Sequence, residues 1–574
     1  MVIFFGILAA SISDFSGSKQ PYSVKANSVL LMTLDKPIAD RGPKDQIDID
    51  FGAFKQINPL GLDDILKNLD KAAEDDRIEG IFLDLSTVQA GFGQLLEIRE
   101  QIQEFKTQSG KWVLAYSDSY GLASYWLASV ADEVYLQPQG NLEFAGLRSE
   151  YMFFKNMFEK LDIDIQFIRG SNNDFKSFGE VYTEEKMSDA NREQIERLIQ
   201  SLWDTYLLKI TESRGIDKAR LNEIADNLIV RSAEDAVEVG LIDGIKYRDE
   251  VLAILREKSG IGPNDDIQVA ELPKYGRASS NGSPKYGKEK VAVIFAEGSI
   301  MDGKSEEGVI GGTSLSKTIR EAREDSTIKA VVLRVNSPGG SALASDIIWR
   351  EVELTKQIKP VVVSMGDVAA SGGYYISCAA HRIYAESSTI TGSIGVFGMI
   401  PNMQGFFNKK LGITFDGAKT NEYADMMTVS RALRQDEKDI IQNWIDDIYG
   451  TFKQRVAEGR GMTVDAVDVV AKGRVWTGMD AKTNGLVDEI GGLEDAIAAA
   501  TEMAGLENPR RIDLPKQKDM FQQMMEDLTG QAAYWAHVEI FGEDPKMLQM
   551  MDEIKVVKQM SGIQARMPFD LSIY

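Results

Sequence analysis

One serine stands out for its setting. In the stretch 367–398, DVAASGGYYISCAAHRIYAESSTITGSIGVFG, the residues Thr391-Gly392-Ser393-Ile394-Gly395 place Ser393 between two glycines. Glycines beside a serine let a substrate backbone come close and leave amide N–H groups free to point at it. About 55 residues upstream, Asn336-Ser337-Pro338-Gly339-Gly340 directly follows the apolar run 330–335. A glycine pair at the end of a buried strand is a natural source of an oxyanion-binding amide. The chemistry these residues suit is acyl transfer, with Ser393 as nucleophile.

A serine hydroxyl is a poor nucleophile without a base in hydrogen-bond reach. Histidine is scarce: the chain has only His381, just ahead of the strand pattern 382–385, and His537, in the C-terminal tail. Lysine is the next choice, and it must be neutral to take a proton. Its pKa has to fall from ~10.4 to roughly 7–8, at about 1.36 kcal/mol per unit, which burial among apolar groups can supply. Lys176, in Asp174-Phe175-Lys176-Ser177-Phe178-Gly179, follows the strand pattern 163–168 and is flanked by phenylalanines. Taken alone, the default reading of such a lysine is a solvated loop residue.

The elements that would position these residues recur along the chain. Short apolar runs at 28–38, 78–85 and 112–116 alternate with helical spacing at 62–73 and 93–106. That alternation implies an α/β fold with mostly parallel sheets and crossover helices. The same order returns about 250 residues later, a duplication at a near-constant offset. Residues 77–83 (RIEGIFL) match 327–333 (TIKAVVL), 131–135 (ADEVY) match 380–384 (AHRIY), and 239–243 (VGLID) match 484–488 (NGLVD). In this register Ser393 falls on Phe144, the glycine pair falls near Val88-Gln89-Ala90, and Lys176 falls on Glu422-Tyr423-Ala424-Asp425. One copy keeps a lysine and the other a serine, as expected if a single site is built across both.

Composition sets wider bounds. A net charge of −24 over 574 residues argues against nucleic acid as a partner, since a phosphate backbone calls for a basic surface. The single cysteine, Cys378, cannot form an internal disulfide and reads as core. Residues 1–27 are an apolar run of about half the ~20 residues a spanning helix needs, followed by a polar linker, and read as a membrane-anchor remnant. The expected organisation is a domain over 28–258, a linker over 259–290, a second domain over 291–505 and a helical, methionine-rich tail over 506–574.

Five motifs in order carry a family resemblance. VNSPGGS (335–341), MGDVAASGGYYIS (365–377), TGSIGVFG (391–398), FKS (175–177) and VWTGMDAKTNGLVDEIGG (475–492) together resemble the long form of the signal peptide peptidase A (protease IV) family. The resemblance implies tandem Clp-protease/crotonase-like domains and a serine–lysine dyad. Carried onto this chain, the dyad is Ser393 with Lys176. The oxyanion donors are then expected from Gly339 or Gly340 and from Ile394. No metal or nucleotide is required. The substrates implied are cleaved signal peptides and other extended apolar peptides. Also implied are a homo-oligomer, with a tetramer favoured, and catalytic domains outside the cytoplasmic membrane of a bacterium. Ser337 and Ser371 either orient the site or make ordinary turn and cap hydrogen bonds, and Asp367 is equally open.

Two motif matches are discounted. Ser314-Leu315-Ser316-Lys317 fits S-x-x-K without its companion motifs. Residues 282–288 have P-loop spacing, but Glu289 follows where Ser or Thr is needed. Two other classes stay open: a crotonase-type acyl-CoA enzyme, which would not need Ser393 and Lys176 together, and a catalytically inactive oligomeric scaffold.

Overall fold

The computed structural model describes residues 22–43, 49–50, 55–56, 58–279, 287–306, 308–517 and 562–567. The apolar segment 1–10, His537 and the tail methionines Met520, Met524, Met525, Met547, Met550 and Met551 lie outside them, as do residues 282–286 of the discounted P-loop match.

The first copy is built on β1 (Ser28–Met32), β2 (Ile78–Asp84), β3 (Trp112–Ser117) and β4 (Glu133–Leu136). Three further strands are β5 (Asp164–Arg169), β6 (Gly244–Ile245) and β7 (Gln268–Glu271). All but β5 form one sheet in the order β6-β4-β3-β2-β1-β7, with every pairing parallel. Crossovers are made by α1 (Leu62–Glu74), α2 (Phe92–Ser109), α3 (Leu122–Ala128), α4 (Asp189–Arg214) and α5 (Arg248–Lys258). The strands are apolar on both faces because helices cover both. Leu30, Ile81 and Val113 face the main core, while Val29, Phe82 and Leu114 pack on Val251 and Leu255 of α5. Helix α1 shows why such segments dock. Leu62, Ile65, Leu66, Leu69 and Ala72 form one buried stripe, with Asp63 and Asp64 in the first turn and Lys71 in the last, as the helix dipole favours.

The second copy repeats the plan. Its strands are β8 (Lys290–Glu297), β9 (Ser299–Met301), β10 (Val309–Gly311), β11 (Ile328–Ser337) and β12 (Gly339–Ser341). They continue with β13 (Val361–Ala370), β14 (Arg382–Ala385), β15 (Ile390–Gly392) and β16 (Phe397–Asn402). The last are β17 (Val475–Thr477), β18 (Glu489–Ile490), β19 (Arg510–Leu514) and β20 (Gly562–Arg566). Its helices include α6 (Gly312–Glu324), α7 (Ala342–Lys356), α8 (Gly372–Ser377), α9 (Gln435–Arg460) and α10 (Leu493–Met503). The path β18-β14-β13-β11-β8-β19 is parallel throughout and reproduces β6-β4-β3-β2-β1-β7 strand for strand. Beside it, β13 also pairs with β15, and β15 with β17, the latter antiparallel.

The two copies share a third sheet, in the order β10-β9-β12-β20-β16-β5. Strand β5 leaves the first copy and runs antiparallel along β16 of the second, from Asp164 opposite Asn402 to Arg169 opposite Phe397. Strand β20 lies between β12 and β16, antiparallel to both. The tail was expected to be helical; its described parts include two strands, β19 and β20. Strand β19 takes the place that β7 takes in the first copy, and β20 pairs with the edges of β12 and β16.

A buried charge network joins the copies elsewhere. The fully buried Arg334 guanidinium of β11 lies 3.0 Å from Asp40 and 2.6 Å from Glu97, both from the first copy. Nearby, the Gln94 N–H donates to Asp367 Oδ1 at 2.9 Å.

Candidate active site

Lys176 owes its place to β5. The chain turns after Arg169 through Asn172, at φ 64°, and then enters the second copy. The Gly170 N–H donates to the Val396 carbonyl (3.0 Å) and the Phe175 N–H to the Lys472 carbonyl (3.0 Å). Gln194 of α4 fastens the loop, its Nε2 donating to the Phe175 carbonyl at 3.0 Å and to Ser177 Oγ at 3.1 Å. The Arg474 guanidinium covers the Phe175 ring from 4.6 Å. Gly473 is needed at closest approach, because a Cβ there would lie 2.6 Å from the Cβ of Lys176.

The lysine side chain is fully buried. Its Nζ lies 2.9 Å from Ser393 Oγ, 2.9 Å from the Ser393 carbonyl oxygen and 2.8 Å from Ser371 Oγ. Burial holds its pKa well below the ordinary lysine value. A neutral amine so placed can donate to Ser393 and still offer its lone pair to a hydroxyl proton. The residues singled out from the sequence, Lys176 and Ser393, are therefore together in space, with a third residue, Ser371, at the same nitrogen.

Ser371 has the geometry of a strained nucleophile. It sits between the end of β13 and the start of α8, with φ 54° and ψ −112°. A non-glycine residue at such angles is held there by its surroundings, and such strain clusters at reactive sites. The following glycines permit the turn: a Cβ on Gly372 would lie 2.6 Å from Ser345 Oγ, and one on Gly373 2.6 Å from the Ser337 carbonyl. The sequence did carry a signal for this. A serine followed by two glycines after an apolar strand, Ala369-Ala370-Ser371-Gly372-Gly373, shares the strand-to-helix turn of a nucleophile elbow but not its G-x-S-x-G spacing. Ser393 also has a positive φ, 50°, but its amide N–H is committed to the Arg474 carbonyl at 2.7 Å.

The expected oxyanion donors separate into two groups. Gly339, at φ 93°, approaches Gly372 so closely that a Cβ on it would lie 2.6 Å from the Gly372 nitrogen. Its own N–H donates to Ser337 Oγ at 3.1 Å. Gly340 is in β12, opposite Ala565 of β20 and beside Ile300 of β9. Ile394 is fully buried in the core of the second copy, and its carbonyl accepts from the Gly473 N–H at 2.9 Å. The structure thus groups Gly339 with Gly372, the residue after Ser371, while Ile394 belongs to the loop that holds Lys176.

Other residues weighed from the sequence lie apart. His381 Nδ1 accepts from the Val361 N–H at the far end of β13 from Ser371. Lys317 of the S-x-x-K match is exposed and 3.8 Å from Glu321. Cys378 is buried and unpaired with another cysteine. Among the described residues no His/Cys/Asp/Glu group is arranged to hold a metal, and no helix is long and apolar enough to cross a membrane.

The doubled parallel α/β fold, with a serine hydroxyl against a buried amine where the copies meet, is suited to acyl transfer, and comparison with known proteins fixes the class as a serine protease. The chain belongs to peptidase family S49, whose model matches residues 105–262 and 353–507, one segment in each copy. It is 36% identical over 521 residues to Protease 4 of Haemophilus influenzae, covering 88% of this chain and 84% of that protein. It is 33% identical to the chloroplastic serine protease SPPA of Arabidopsis thaliana, covering 95% and 78%, and 35% identical to Protease 4 of Salmonella typhi, covering 84% and 78%. Among solved structures, a ClpP1 point mutant from Listeria monocytogenes overlaps 36% of this chain and 94% of its own, at 17% identity and a TM-score of 0.25.

Proposed function

We propose that this serine protease cleaves extended apolar peptides, released signal peptides among them, with Lys176 as general base and Ser371 as nucleophile. The observation that carries the reading is a buried, unprotonated-favouring amine 2.8 Å from the hydroxyl of a serine in a strained strand-to-helix turn. Ser393, the nucleophile expected from its glycine setting, takes a positioning role here. Its carbonyl and hydroxyl both accept from Lys176 Nζ, which aims the lone pair at Ser371.

The reaction then runs as acyl transfer. Lys176 takes the Ser371 proton as Oγ attacks the peptide carbonyl. The developing oxyanion is held by the backbone N–H of Gly372 and by that of Gly339 once it turns from Ser337 Oγ. Lys176 gives the proton to the leaving amine, then activates water against the acyl-enzyme.

The test is hydrolysis of an apolar fluorogenic peptide. Ser371→Ala and Lys176→Ala are expected to abolish turnover. Ser393→Ala is expected to cost about tenfold, the worth of one hydrogen bond of about 1–1.5 kcal/mol. Full activity in Ser371→Ala with none in Ser393→Ala would return the nucleophile to Ser393. Thioester hydrolysis without peptidase activity would favour an acyl-CoA enzyme, and an active-site serine probe that labels nothing would favour a scaffold.

The proposal extends to assembly and location. The second-copy counterpart of β5 and its lysine loop leaves Leu411, Ile413, Phe415 and Tyr423 exposed. An uncovered apolar segment equivalent to one that already bridges two copies supports a homo-oligomer, with a tetramer favoured, and native mass measurement tests it. Attachment to a bacterial cytoplasmic membrane, with the catalytic domains on its outer side, rests on the family resemblance; membrane fractionation tests that.

A further inference from the structure

Two equivalent helices of the repeat begin in different ways. Helix α7 starts after Ser341, whose Oγ accepts from the Ala344 N–H at 3.2 Å. That is an ordinary N-cap, in which a side-chain oxygen satisfies one of the free amides at a helix start. In the register of the repeat Ser341 falls on Gly91 and Ala344 on Gln94, at the start of α2. Gly91 has no side chain to cap with. The Gln94 N–H donates instead to Asp367 Oδ1, at 2.9 Å, across the seam from the second copy. The glycines of this turn make the room. A Cβ on Gly91 would lie 2.1 Å from Asp367 Cγ, and one on Gly93 3.1 Å from Asp367 Oδ1.

Asp367 reaches the helix from a bulge in β13. Val335 of β11 pairs with Met365, but Ser337, two residues on, pairs with Ala369, four residues on. Extra residues of this kind re-aim a side chain, here toward α2. The bulge is pinned on both sides. The Val368 N–H donates to Asn336 Oδ1 at 3.2 Å, and the Gly366 carbonyl accepts from Thr389 Oγ1 at 2.7 Å. Strand β13 then ends at Ala370, and Ser371 follows. One turn further along α2, Glu97 accepts from Arg334 of β11, the strand that runs on to Ser337 and Gly339. The first turns of α2 thus grip both strands that end at the site.

We propose that Asp367 is a positioning residue of the acyl-transfer site: by capping α2 from the other copy it fixes the end of β13, and so holds the Ser371 hydroxyl against the Lys176 amine. The proposal rests on the assignment of Ser371 as nucleophile. Asp367 acts through the strand, not through contact with substrate. A cap on α2 could be supplied locally, as Ser341 supplies it to α7, but only a bond across the seam ties the helix to β13. Displacing a reacting group by about 1 Å can cost about 10²-fold in rate.

Steady-state hydrolysis of an apolar fluorogenic peptide, with thermal unfolding of the same preparations, tests this. Asp367→Ala is expected to lower kcat by about 10–10²-fold, to leave KM within about twofold, and to lower the melting temperature. Asp367→Asn keeps an acceptor for the Gln94 N–H and is expected to keep kcat within about threefold, since Asn and Asp cap equally well. Gly91→Ser added to Asp367→Ala puts a local cap in the space the carboxylate left. It is expected to recover the melting temperature but not kcat. That double variant also gives the readout should Asp367→Ala alone fail to fold. Recovery of kcat together with the melting temperature would overturn the proposal, because helix stability would then be the whole effect. So would equal losses of kcat in Asp367→Asn and Asp367→Ala, which would remove the hydrogen bond as the cause. Unchanged kcat in Asp367→Ala beside an inactive Ser371→Ala would overturn the proposal and leave the proposed function standing. Normal turnover in Ser371→Ala would instead overturn the nucleophile assignment beneath it.

Discussion

Burying the Lys176 amine costs the fold stability. Burial alone drives its pKa down, so the folded chain releases a proton that the unfolded chain holds. The sign follows from linkage: between the lowered folded pKa and the ordinary value near 10.5, the unfolded state binds more protons, so stability rises with pH across that window. Turnover should rise over the same lower limb as Lys176 loses its proton, and kcat/KM against pH should show a single ascending step well below 10.5. Lys176→Met, similar in length and without charge, should lose about 10²–10⁴ in kcat/KM. Its thermal midpoint at neutral pH should be unchanged or higher, because a desolvated amine has been replaced by an apolar group. Much of this site could be read from residue types. Scarce histidine pointed to lysine, but the local sequence alone left Lys176 as a solvated loop residue, whereas it is fully buried. What could not be read was which serine faces substrate. Ser371 and Ser393 both sit beside glycine, both have a positive φ and both meet Lys176 Nζ; the proposed choice of Ser371 rests on its strand-to-helix turn.

Among the elements, the swapped strand β5 is the decisive one. Local pattern placed it correctly as a strand, but nothing local says that its partner is β16, more than two hundred residues away. The same limit hid β20, whose partners are β12 and β16 and whose sequence, Gly-Ile-Gln-Ala-Arg, has little apolar alternation of its own. The parallel sheets were legible because their strands are short runs of Val, Ile and Leu between helical periods. Gly339 tests how tightly β12 and α8 are set. A Cβ there faces a positive φ and the Gly372 nitrogen at 2.6 Å. Gly339→Ala should therefore shift the proposed oxyanion donors and reduce kcat by about 10²–10³, the usual cost of losing one such donor. Denaturant unfolding should show a loss of about 1–3 kcal/mol. Gly110, whose added Cβ meets nothing within 4 Å, is the control for backbone strain alone, since its φ is 68°.

At the scale of the whole molecule, the two copies meet around Arg334 over more acid than base. Arg334 faces Asp40 and Glu97, while Glu297, Asp367 and Glu386 lie near the same seam. Burial raises Asp367 to about 7 and Glu297 to about 7, and pushes Glu386 well above the carboxylate range. The sign is opposite to that of Lys176. A carboxyl whose pKa is raised on folding contributes stability that is complete below its unfolded value and lost as pH rises through about 7. The melting temperature of the full chain should fall between pH 4 and pH 7, and Asp367→Asn should flatten that slope by up to one proton's worth, about 1.4 kcal/mol per pH unit. An unchanged slope in Asp367→Asn would remove Asp367 from the effect. The crossing of β5 onto β16 has a consequence for the life of the chain. The half that carries Lys176 leaves the ribosome first, and β5 has no partner until the later half has been made. With the proposed Lys176–Ser371 pair, a nascent chain gains activity only once both copies have been made.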